Sequence, residues 1–318
     1  MKILANDGIS AVGQRLLEDA GFTVITDKVA QEQLAQAVND QGIEIILVRS
    51  ATTVRKEVID ACPNIKLIGR GGVGMDNIDV SYAREKGIAV INTPASSSQS
   101  VAELVMGHLF AISRSLNDSY KNMETGDFSA LKKKYGKGVE LRGKTIGIIG
   151  FGRIGQSLAS YALGSGMDVI AIDRQTDPVE IKVPIGTKQH FTVQITPANN
   201  LHEALPEMDY ISLHVPKQAD GSAVISAKEF SLMKKGVRLV NASRGGVINE
   251  DDLLSALKEG KVAGVALDVF ENEPNPRKDL LNHELIACTP HVGAATLEAQ
   301  DRIGEELAAL IIGQFIKA

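Results

Sequence analysis

Short apolar runs alternate with amphipathic stretches along most of this 318-residue chain, and this alternation restricts the folds that the chain can adopt. Five strand-like runs precede residue 95, at 2–5, 23–26, 44–49, 66–69 and 89–92, and helix-like stretches separate them, at 10–20, 29–40, 54–61 and 80–86. Strands and helices that alternate at this spacing predict a parallel sheet covered by helices, with right-handed crossovers. We therefore expect an α/β fold that begins with a complete doubly wound unit.

A second alternating pattern follows the turn-forming segment 93–98. Its predicted strands are 145–150, 169–173, 210–214, 238–241 and 264–268. The amphipathic stretch 296–315 cannot form a domain by itself, so we expect it to pack back onto the first unit. The sequence therefore predicts a discontinuous first domain, residues 1–97 and 292–318, and a second domain, residues 98–291, that is inserted into it.

Composition and charge exclude several classes of protein. A net charge of −5, with no basic stripe interleaved with aromatic residues, argues against a nucleic-acid partner. No apolar run reaches the roughly 20 residues that a membrane span needs, and the N-terminus lacks the features of a signal peptide. Cys62 and Cys288 are too few for a disulfide framework, which is typical of a reducing compartment. We expect a soluble, cytoplasmic protein with no membrane partner.

Two local features have more than one interpretation. The nearly continuous apolar stretch 101–112 predicts a helix that is buried on more than one side, between domains or against a second subunit. His108 within it is expected to be a packed or capping residue. The basic run Lys132, Lys133 and Lys134 lies in a loop-like segment; we interpret it as solvated surface, and the alternative is a position near an anionic ligand.

A glycine-rich segment connects the predicted strand 144–149 to the helix-like stretch 156–163. Gly150 allows a tight turn, Gly152 lets the backbone approach a pyrophosphate, and Gly155 lets the helix pack closely on the strand. The N-terminus of the helix also presents free N–H groups to phosphates. The alternative is a glycine turn that serves packing alone. We expect a dinucleotide cofactor here.

Asp173 indicates which dinucleotide is bound. It ends the next predicted strand, about 20 residues after the glycines, where a carboxylate can accept hydrogen bonds from the adenosine ribose hydroxyls. A carboxylate repels a 2′-phosphate, so the sequence favours NAD over NADP. Arg174 leaves NADP open, because a guanidinium could pair with that phosphate.

Three residues near the C-terminal end are candidates for chemistry on a small carboxylic acid. Arg244 follows a predicted strand and precedes two glycines, so it would project from the carboxyl end of the sheet and could bind a carboxylate in bidentate fashion. His291 stands on a turn beside Pro290, and histidine can exchange a proton near neutral pH. Glu273 could bond the second imidazole nitrogen. The alternatives are a surface ion pair, a buried polar histidine and a solvated carboxylate.

The chain resembles the NAD-dependent D-isomer-specific 2-hydroxyacid dehydrogenases over essentially its whole length. Seven segments carry the resemblance: 150–155, Asp173, 212–216, 241–246, 266–270, 273–274 and 290–291. It implies two doubly wound parallel-sheet domains, with a Rossmann NAD-binding domain inserted into a flavodoxin-like substrate domain. It also implies that Arg244 binds the substrate and polarises its carbonyl, that His291 is the acid/base, and that Glu273 is the partner of His291.

The resemblance further implies a set of residues around the cofactor. The set is Gly150, Gly152, Arg153, Ile154, Gly155, Asp173, His214, Val215, Pro216, Ala242, Ser243, Arg244, Asp268, His291, Gly293 and Ala294. Arg153 and Ile154 would border the pyrophosphate, whereas 242–244 and Asp268 would contact the nicotinamide half. Asp268 alone could be a strand-end cap; within this pattern we expect an acceptor for the carboxamide. No metal site is predicted.

The segments 47–52, 68–79 and 292–300 are similar to those of D-3-phosphoglycerate dehydrogenases. In that subfamily Arg49 and Arg70 match positions that help to bind the phosphate or carboxylate of the substrate. Two arginines at the ends of adjacent predicted strands would make an anion pocket; the alternative is that they merely cap strand ends. The expected substrate-binding set is Arg49, Ser50, Arg70, Gly72, Val73, Gly74, Arg244 and His291.

The expected reaction is oxidation of 3-phospho-D-glycerate to 3-phosphooxypyruvate by NAD, the first step of serine synthesis, in a homodimer. Two alternatives remain within the enzyme class, a glyoxylate or hydroxypyruvate reductase and a D-lactate dehydrogenase. An alternative of another class is an NAD(H)-binding protein like the C-terminal-binding-protein corepressors. We expect no C-terminal serine-binding regulatory domain of the kind that long phosphoglycerate dehydrogenases carry.

Overall fold

The computed structural model describes residues 1–124 and 126–316 of the chain. They divide into two compact units: unit 1 is Met1–Ser98 with Ala294–Ala318, and unit 2 is Gln99–Gly293. Each unit has its own parallel sheet with helices, and the expected α/β class is confirmed. None of the helices in the described ranges has both the length and the hydropathy of a membrane span.

The secondary structure of the described residues follows in chain order. The elements are β1 (Lys2–Ala5), α1 (Ala11–Asp19), β2 (Thr23–Ile25), α2 (Leu34–Gln41), β3 (Ile45–Val48), α3 (Lys56–Ala61), β4 (Leu67–Arg70), α4 (Val80–Glu85), β5 (Ala89–Asn92), α5 (Ser98–Arg114), α6 (Leu116–Asn122), α7 (Phe128–Tyr135), β6 (Thr145–Ile149), α8 (Arg153–Gly164), β7 (Asp168–Ile172), β8 (Val179–Ile185), β9 (Gln189–Ile195), α9 (Leu201–Ala204), β10 (Tyr210–Leu213), α10 (Ala227–Leu232), β11 (Val237–Asn241), α11 (Glu250–Lys258), β12 (Val262–Leu267), α12 (Lys278–Leu281), β13 (Ile286–Cys288) and α13 (Leu297–Phe315).

Both main sheets are parallel throughout. The strand order is β2-β1-β3-β4-β5 in unit 1 and β13-β12-β11-β10-β6-β7 in unit 2. The order reverses between β1 and β3 in unit 1, and between β6 and β10 in unit 2. Because all strands of a parallel sheet end at the same edge, each unit has one carboxyl edge, and ligands of doubly wound sheets bind there, at the reversal.

The core of unit 1 includes the last helix of the chain. β3 is fully buried and continuously apolar, as expected of a central parallel strand. α13 begins at its N-cap Thr296, whose side chain accepts the N–H of Ala299, and its buried residues pack under the sheet. α1 and α13 touch through Gly13 and Gly304, since a Cβ on Gly13 would lie 2.5 Å from the Cα of Gly304.

The apolar stretch predicted at 101–112 is part of α5, and most of its apolar side chains pack inside unit 2. Val101, Val105 and Leu109 belong to the same buried cluster as strand β6. His108 is buried, and its Nε2 lies 3.1 Å from Oγ1 of Thr289. Burial lowers the pKa of His108. His108 is therefore a packed residue, and this face of α5 is turned to its own unit.

One prediction is wrong, and three strands of unit 2 were not predicted. Lys132, Lys133 and Lys134 lie in α7 rather than in a loop, because Asp127 caps this helix and accepts the N–H groups of Ser129 and Ala130. The antiparallel hairpin β8–β9 was not predicted. It packs on α8 through the buried side chains of its first strand. The strand β13, at one edge of the unit 2 sheet, was not predicted either.

Candidate active site

The glycine segment of unit 2 has the geometry that a dinucleotide needs. Gly150 has φ 93°, and a Cβ there would lie 2.4 Å from the carbonyl oxygen of His214. A Cβ on Gly155 would lie 2.3 Å from the oxygen of Gly150, so α8 packs directly on the turn. At Gly152, by contrast, no described atom other than those of Gly152 and its two chain neighbours lies within 4 Å of that position, and α8 begins at the next residue, Arg153. The open space and the helix N-terminus fit a pyrophosphate.

Asp173 lies directly beside this segment. Its Oδ2 accepts the N–H of Phe151 at 2.6 Å, and its Oδ1 accepts the N–H of Gln175 at 3.1 Å. Each carboxylate oxygen has further lone pairs, so the hydroxyls of a ribose can still be bound. The position at the end of β7 is therefore compatible with the predicted ribose contact.

The segment 214–216 follows β10 and contacts the glycine turn. The N–H of His214 donates to the oxygen of Ile149 at 2.7 Å, and Nε2 of His214 lies 2.8 Å from Oγ of Ser212. Burial lowers the pKa of His214 to about 4, so its ring is neutral at physiological pH. Nδ1 of this ring is buried and has no hydrogen-bond partner in the described part of the chain.

Arg244 is placed by the last residue of β11. Oδ1 of Asn241 accepts from both N and Oγ of Ser243, at 3.1 and 2.8 Å, and Nδ2 of Asn241 donates to the oxygen of Arg244 at 2.9 Å. The half-buried Arg244 donates from Nη1 to the oxygen of Ser243 at 2.6 Å. The amide of Asn241 thus closes the turn that carries Arg244.

The turn of Arg244 contacts the segment that carries Glu273. A Cβ on Gly245 would lie 1.7 Å from the carbonyl oxygen of Phe270, so the two backbones approach as closely as glycine permits. Any larger residue at Gly245 would push the two segments apart.

Glu273 and His291 lie together. Nδ1 of His291 is 2.8 Å from Oε2 of Glu273, and Oε1 of Glu273 accepts the N–H of Phe270 at 3.0 Å. His291 has φ 53°, and its N–H donates to the oxygen of Asp268 at 2.8 Å. The side chains of His291 and Glu273 are 40% and 37% exposed, so both can meet a ligand. When Nδ1 donates to the carboxylate, Nε2 of the neutral ring is the proton acceptor.

Asp268 holds the turn that carries His291. Its side chain is buried, Oδ1 accepts from Oγ1 of Thr289 and N of Val292 at 2.6 and 2.9 Å, and Oδ2 accepts the N–H of Gly293 at 2.9 Å. These are the contacts of a strand-end cap. A role of Asp268 toward the nicotinamide carboxamide stays a prediction.

In unit 1, Arg49 follows the strand β3 and Arg70 ends the neighbouring strand β4. Val48 is opposite Arg70 in the register of β3 and β4, and Arg49 follows Val48 directly. Arg70 donates from Nη1 to the oxygen of Gly71 at 2.8 Å. The guanidinium of Arg70 lies over Gly72, because a Cβ on Gly72 would be 1.6 Å from Nη1 of Arg70. Gly72 has φ 141°.

The remaining predicted substrate residues of unit 1 lie on nearby loops. Ser50 lines a cleft of about 380 Å³ at the carboxyl edge of the sheet. Val73 is 40% exposed, and its oxygen accepts Nδ2 of Asn92 at 2.7 Å. Gly74 follows it. Ala294 also belongs to unit 1, and its oxygen accepts Nε2 of Gln300 at 2.9 Å.

Asp7 and Lys28 line the same cleft and were not predicted from the sequence. Asp7 accepts the backbone N–H of Arg49 at 2.7 Å and both N and Oγ1 of Thr52, at 3.0 and 2.7 Å. Nζ of Lys28 lies 3.8 Å from Asp7. The signal for Asp7 was its position two residues after the first predicted strand, at the edge where ligands bind.

Comparison with known proteins places the chain among dehydrogenases. Residues 106–293 match the family model described as D-isomer specific 2-hydroxyacid dehydrogenase, NAD binding domain. The chain is 39% identical over 311 residues to D-3-phosphoglycerate dehydrogenase of Methanocaldococcus jannaschii, a match that covers 98% of this chain and 57% of that protein. The chain thus spans little more than half the length of this relative.

Two further matches cover most of both chains. Hydroxypyruvate reductase of Thermotoga maritima is 40% identical over 301 residues, which are 94% of this chain and 92% of that protein. The crystal structure of a glyoxylate reductase from Paecilomyes thermophila superimposes with a TM-score of 0.83 at 27% identity, over 100% of this chain and 96% of that chain.

Proposed function

This chain belongs to the D-isomer-specific 2-hydroxyacid dehydrogenase family, and we propose that within it the protein oxidises 3-phospho-D-glycerate to 3-phosphooxypyruvate with NAD. The reaction is readily reversible and would supply serine synthesis. The observation that carries the choice of substrate is the pair Arg49 and Arg70 at the ends of adjacent strands. In this proposal Arg49 and Arg70 of unit 1 bind the phosphate of the substrate, and unit 2 binds the cofactor.

The residues of unit 2 fit a nicotinamide dinucleotide, as the open space at Gly152 and the uncapped start of α8 indicate. When bound, this cofactor accepts a hydride from the substrate or returns it. The N–H groups that follow Gly152 would hold the pyrophosphate, and Asp173 would hold the adenosine ribose. The segment 242–244 and Asp268 would contact the nicotinamide half, and the segment 292–294 would line the cofactor.

His291 is the acid/base of the proposal. In the direction of oxidation, its Nε2 takes the proton of the C2 hydroxyl as the C–H bond at C2 breaks. Glu273 accepts a hydrogen bond from the Nδ1–H of the ring and stabilises the positive charge that develops on the imidazole. In the direction of reduction, the same ring returns the proton to the carbonyl oxygen.

Arg244 binds the carboxylate of the substrate and polarises its C2 oxygen. Arg49 and Arg70 bind the phosphate. The carboxylate of Asp7 accepts a hydrogen bond from the backbone N–H of Arg49 and not from its guanidinium. Asp7 therefore fixes the loop that carries Arg49 and is not the ion-pair partner of its guanidinium.

A second candidate is a hydroxypyruvate reductase, which the match to the Thermotoga maritima protein favours because it covers nearly the whole of both chains. Oxidation of NADH with 3-phosphooxypyruvate, hydroxypyruvate, glyoxylate and pyruvate separates the two. We expect kcat/KM to be at least about 100-fold higher for 3-phosphooxypyruvate, because a substrate without the phosphate makes no charge-assisted hydrogen bonds with Arg49 and Arg70. A preference for hydroxypyruvate would reject the phosphate proposal in favour of this candidate. Binding of NADH without turnover would instead support a corepressor-like role.

We also propose that the protein is a homodimer. Large apolar side chains are exposed along α5 to α7: Phe110, Leu116, Tyr120, Met123 and Phe128, at 48%, 52%, 86%, 51% and 69%. Exposed apolar side chains grouped in this way are typical of a surface that a partner covers. A second copy of this chain is the proposed partner.

Sedimentation equilibrium tests the dimer. We expect twice the monomer mass for the native protein and the monomer mass after the double substitution Tyr120→Asp and Phe128→Asp. Phe191→Asp on β9, where the ring is 45% exposed, is the matched control and should leave the mass unchanged. A native protein with the mass of a monomer would refute the proposal.

A further inference from the structure

Two glutamates of unit 2 take no part in the proposed reaction. They lie on two different segments and form hydrogen bonds with each other. Glu250 begins α11, and Glu271 follows Phe270. The N–H of Glu271 donates to Oε1 of Glu250 at 2.9 Å, and the N–H of Glu250 donates to Oε1 of Glu271 at 3.2 Å. Each carboxyl group therefore binds the backbone of the other residue, which makes a reciprocal pair.

The carboxyl group of Glu250 is buried. Its Oε2 has no hydrogen-bond partner within residues 1–124 and 126–316. Burial is the main cause that raises the pKa of Glu250; the charge of Glu271 adds to it, and the N–H of Glu271 and the charge of Arg277 act in the opposite direction. These surroundings disfavour the charged form of the Glu250 carboxyl group, whose Oε1 accepts the Glu271 N–H.

Short contacts connect Glu250 and Glu271 to the segments that carry Glu273 and Arg244. Glu271 stands two residues before Glu273, whose Oε1 accepts the N–H of Phe270 and whose Oε2 meets His291. The carbonyl oxygen of Phe270 lies against Gly245, the neighbour of Arg244. The segment 270–273 is thus held at Phe270 by Gly245 and at Glu271 by Glu250.

We propose that Glu250 is a positioning residue that fixes the segment 270–273 through the backbone of Glu271, and so aims the Glu273 carboxylate at His291. This inference rests on the proposed function. Without the Glu250 carboxyl group, the N–H of Glu271 loses its acceptor and the segment can shift. A misplacement of about 1 Å in a catalytic group can lower turnover about 100-fold.

The test uses the full chain with NADH and the best 2-oxo acid of the substrate panel. For Glu250→Ala we expect kcat to fall about 10- to 100-fold, while the Kd of NADH changes less than twofold. Glu250→Gln should keep kcat within about threefold, because its amide oxygen can accept the same bond without a charge. If Glu250→Ala does not fold, Glu250→Asp serves instead, since its shorter side chain withdraws the acceptor and should lower kcat at least about fivefold.

Glu229→Ala is the matched control. Glu229 is also buried near a helix N-terminus of unit 2, where its carboxylate accepts from Ser226 and meets His202. We expect this substitution to lower the Tm and leave kcat within twofold. The kinetic isotope effect with NADH deuterated at the transferred position should rise in Glu250→Ala and stay unchanged in the control.

A double-mutant cycle separates positioning from general stability. In the Glu273→Gln background, Glu250→Ala should lower kcat less than twofold further, because the aimed carboxylate is already gone. The inference is overturned if Glu250→Ala leaves kcat within twofold, or if its effect is undiminished in that background. If the native protein reduces no 2-oxo acid at all, the proposed function fails, which is a different result.

Discussion

Nδ1 of His291 lies 2.8 Å from Oε2 of Glu273, and the other oxygen of that carboxylate accepts the N–H of Phe270. A carboxylate bound at both oxygens cannot rotate away from the ring without losing a bond. The backbone N–H of Phe270 therefore holds the Glu273 carboxylate in one arrangement against His291.

Replacing His291 by Ala should lower kcat about 10²- to 10⁴-fold, the usual contribution of a general acid/base, with the Kd of NADH kept within twofold. Stopped-flow reduction of the best 2-oxo acid, together with NADH titration, measures both. His190→Ala on the exposed strand β9 is the control and should leave kcat unchanged. Turnover close to the native value in His291→Ala would remove the acid/base assignment.

Replacing Asp173 by Ser should change the choice of cofactor. The substitution removes the carboxylate that repels a 2′-phosphate, so the ratio of kcat/KM for NADPH to that for NADH should rise at least about tenfold. Steady-state assays with both cofactors measure the ratio. Asp177→Ser, on the exposed stretch after β7, is the control with an unchanged ratio. A native preference for NADPH would contradict the premise.

Replacing Gly72 by Ala should weaken the binding of the phosphorylated substrate. The added Cβ would collide with Nη1 of Arg70, and a residue with a side chain is strained at φ 141°. We expect a loss of about 1–3 kcal/mol in the free energy of unfolding and a higher KM for 3-phosphooxypyruvate. Gly313→Ala in α13, where a Cβ meets no described atom within 4 Å, is the control. An unchanged KM would show that Arg70 does not bind the phosphate.

His214 should make the protein less stable in mild acid. Its folded pKa of about 4 lies below the value of about 6.5 in an unfolded chain, so only the unfolded state binds a proton between these values. The contribution of His214 to the free energy of unfolding is complete above about pH 6.5 and is lost as the pH falls toward 4. Between pH 7 and pH 5 this loss is about 2 kcal/mol.

Urea unfolding at pH 7 and pH 5 measures this loss. The native protein should lose about 2 kcal/mol more than His214→Gln over this interval, since glutamine does not titrate. His190→Gln, on the exposed hairpin, should behave as the native protein does. Equal pH dependence in the native protein and His214→Gln would contradict the assignment.

The sequence predicted the main sheets well because their strands are continuous apolar runs. It did not predict the hairpin β8–β9, although Ile181 and Val183 alternate with the exposed Glu180 and Lys182. That alternation is a strand signal of period two. The hairpin lies between β7 and the next expected helix, where a doubly wound pattern calls for no antiparallel pair.

The error at Lys132–Lys134 has a different physical cause. The local signal was present, since Asp127 is a good N-cap. What fixes Lys134 is distant in sequence: its Nζ lies 2.8 Å from Asp118 and 3.0 Å from Glu284. Ion pairs of this kind depend on tertiary structure, and they leave no periodic pattern in the sequence.

Candidate site residues could be proposed from motifs, but their contacts could not. The sequence suggested Glu273 as the partner of His291, and the 2.8 Å contact came from the structure. Glu250 and Glu271 carried no signal, because two acidic residues in polar surroundings are typical of solvated surface. Their pairing depends on the approach of α11 to the segment after β12.

Because α1 contacts α13 at Gly13 and Gly304, unit 1 can complete its fold only after α13 has been synthesised on the ribosome. Unit 2 is one continuous stretch, Gln99–Gly293, and all of it is available before α13 is translated. Unit 1 lacks Ile303, Leu307 and Ile311 of its core until α13 is translated. The nascent chain therefore exposes the underside of the unit 1 sheet while unit 2 can already fold, and chaperones would find their binding surface there.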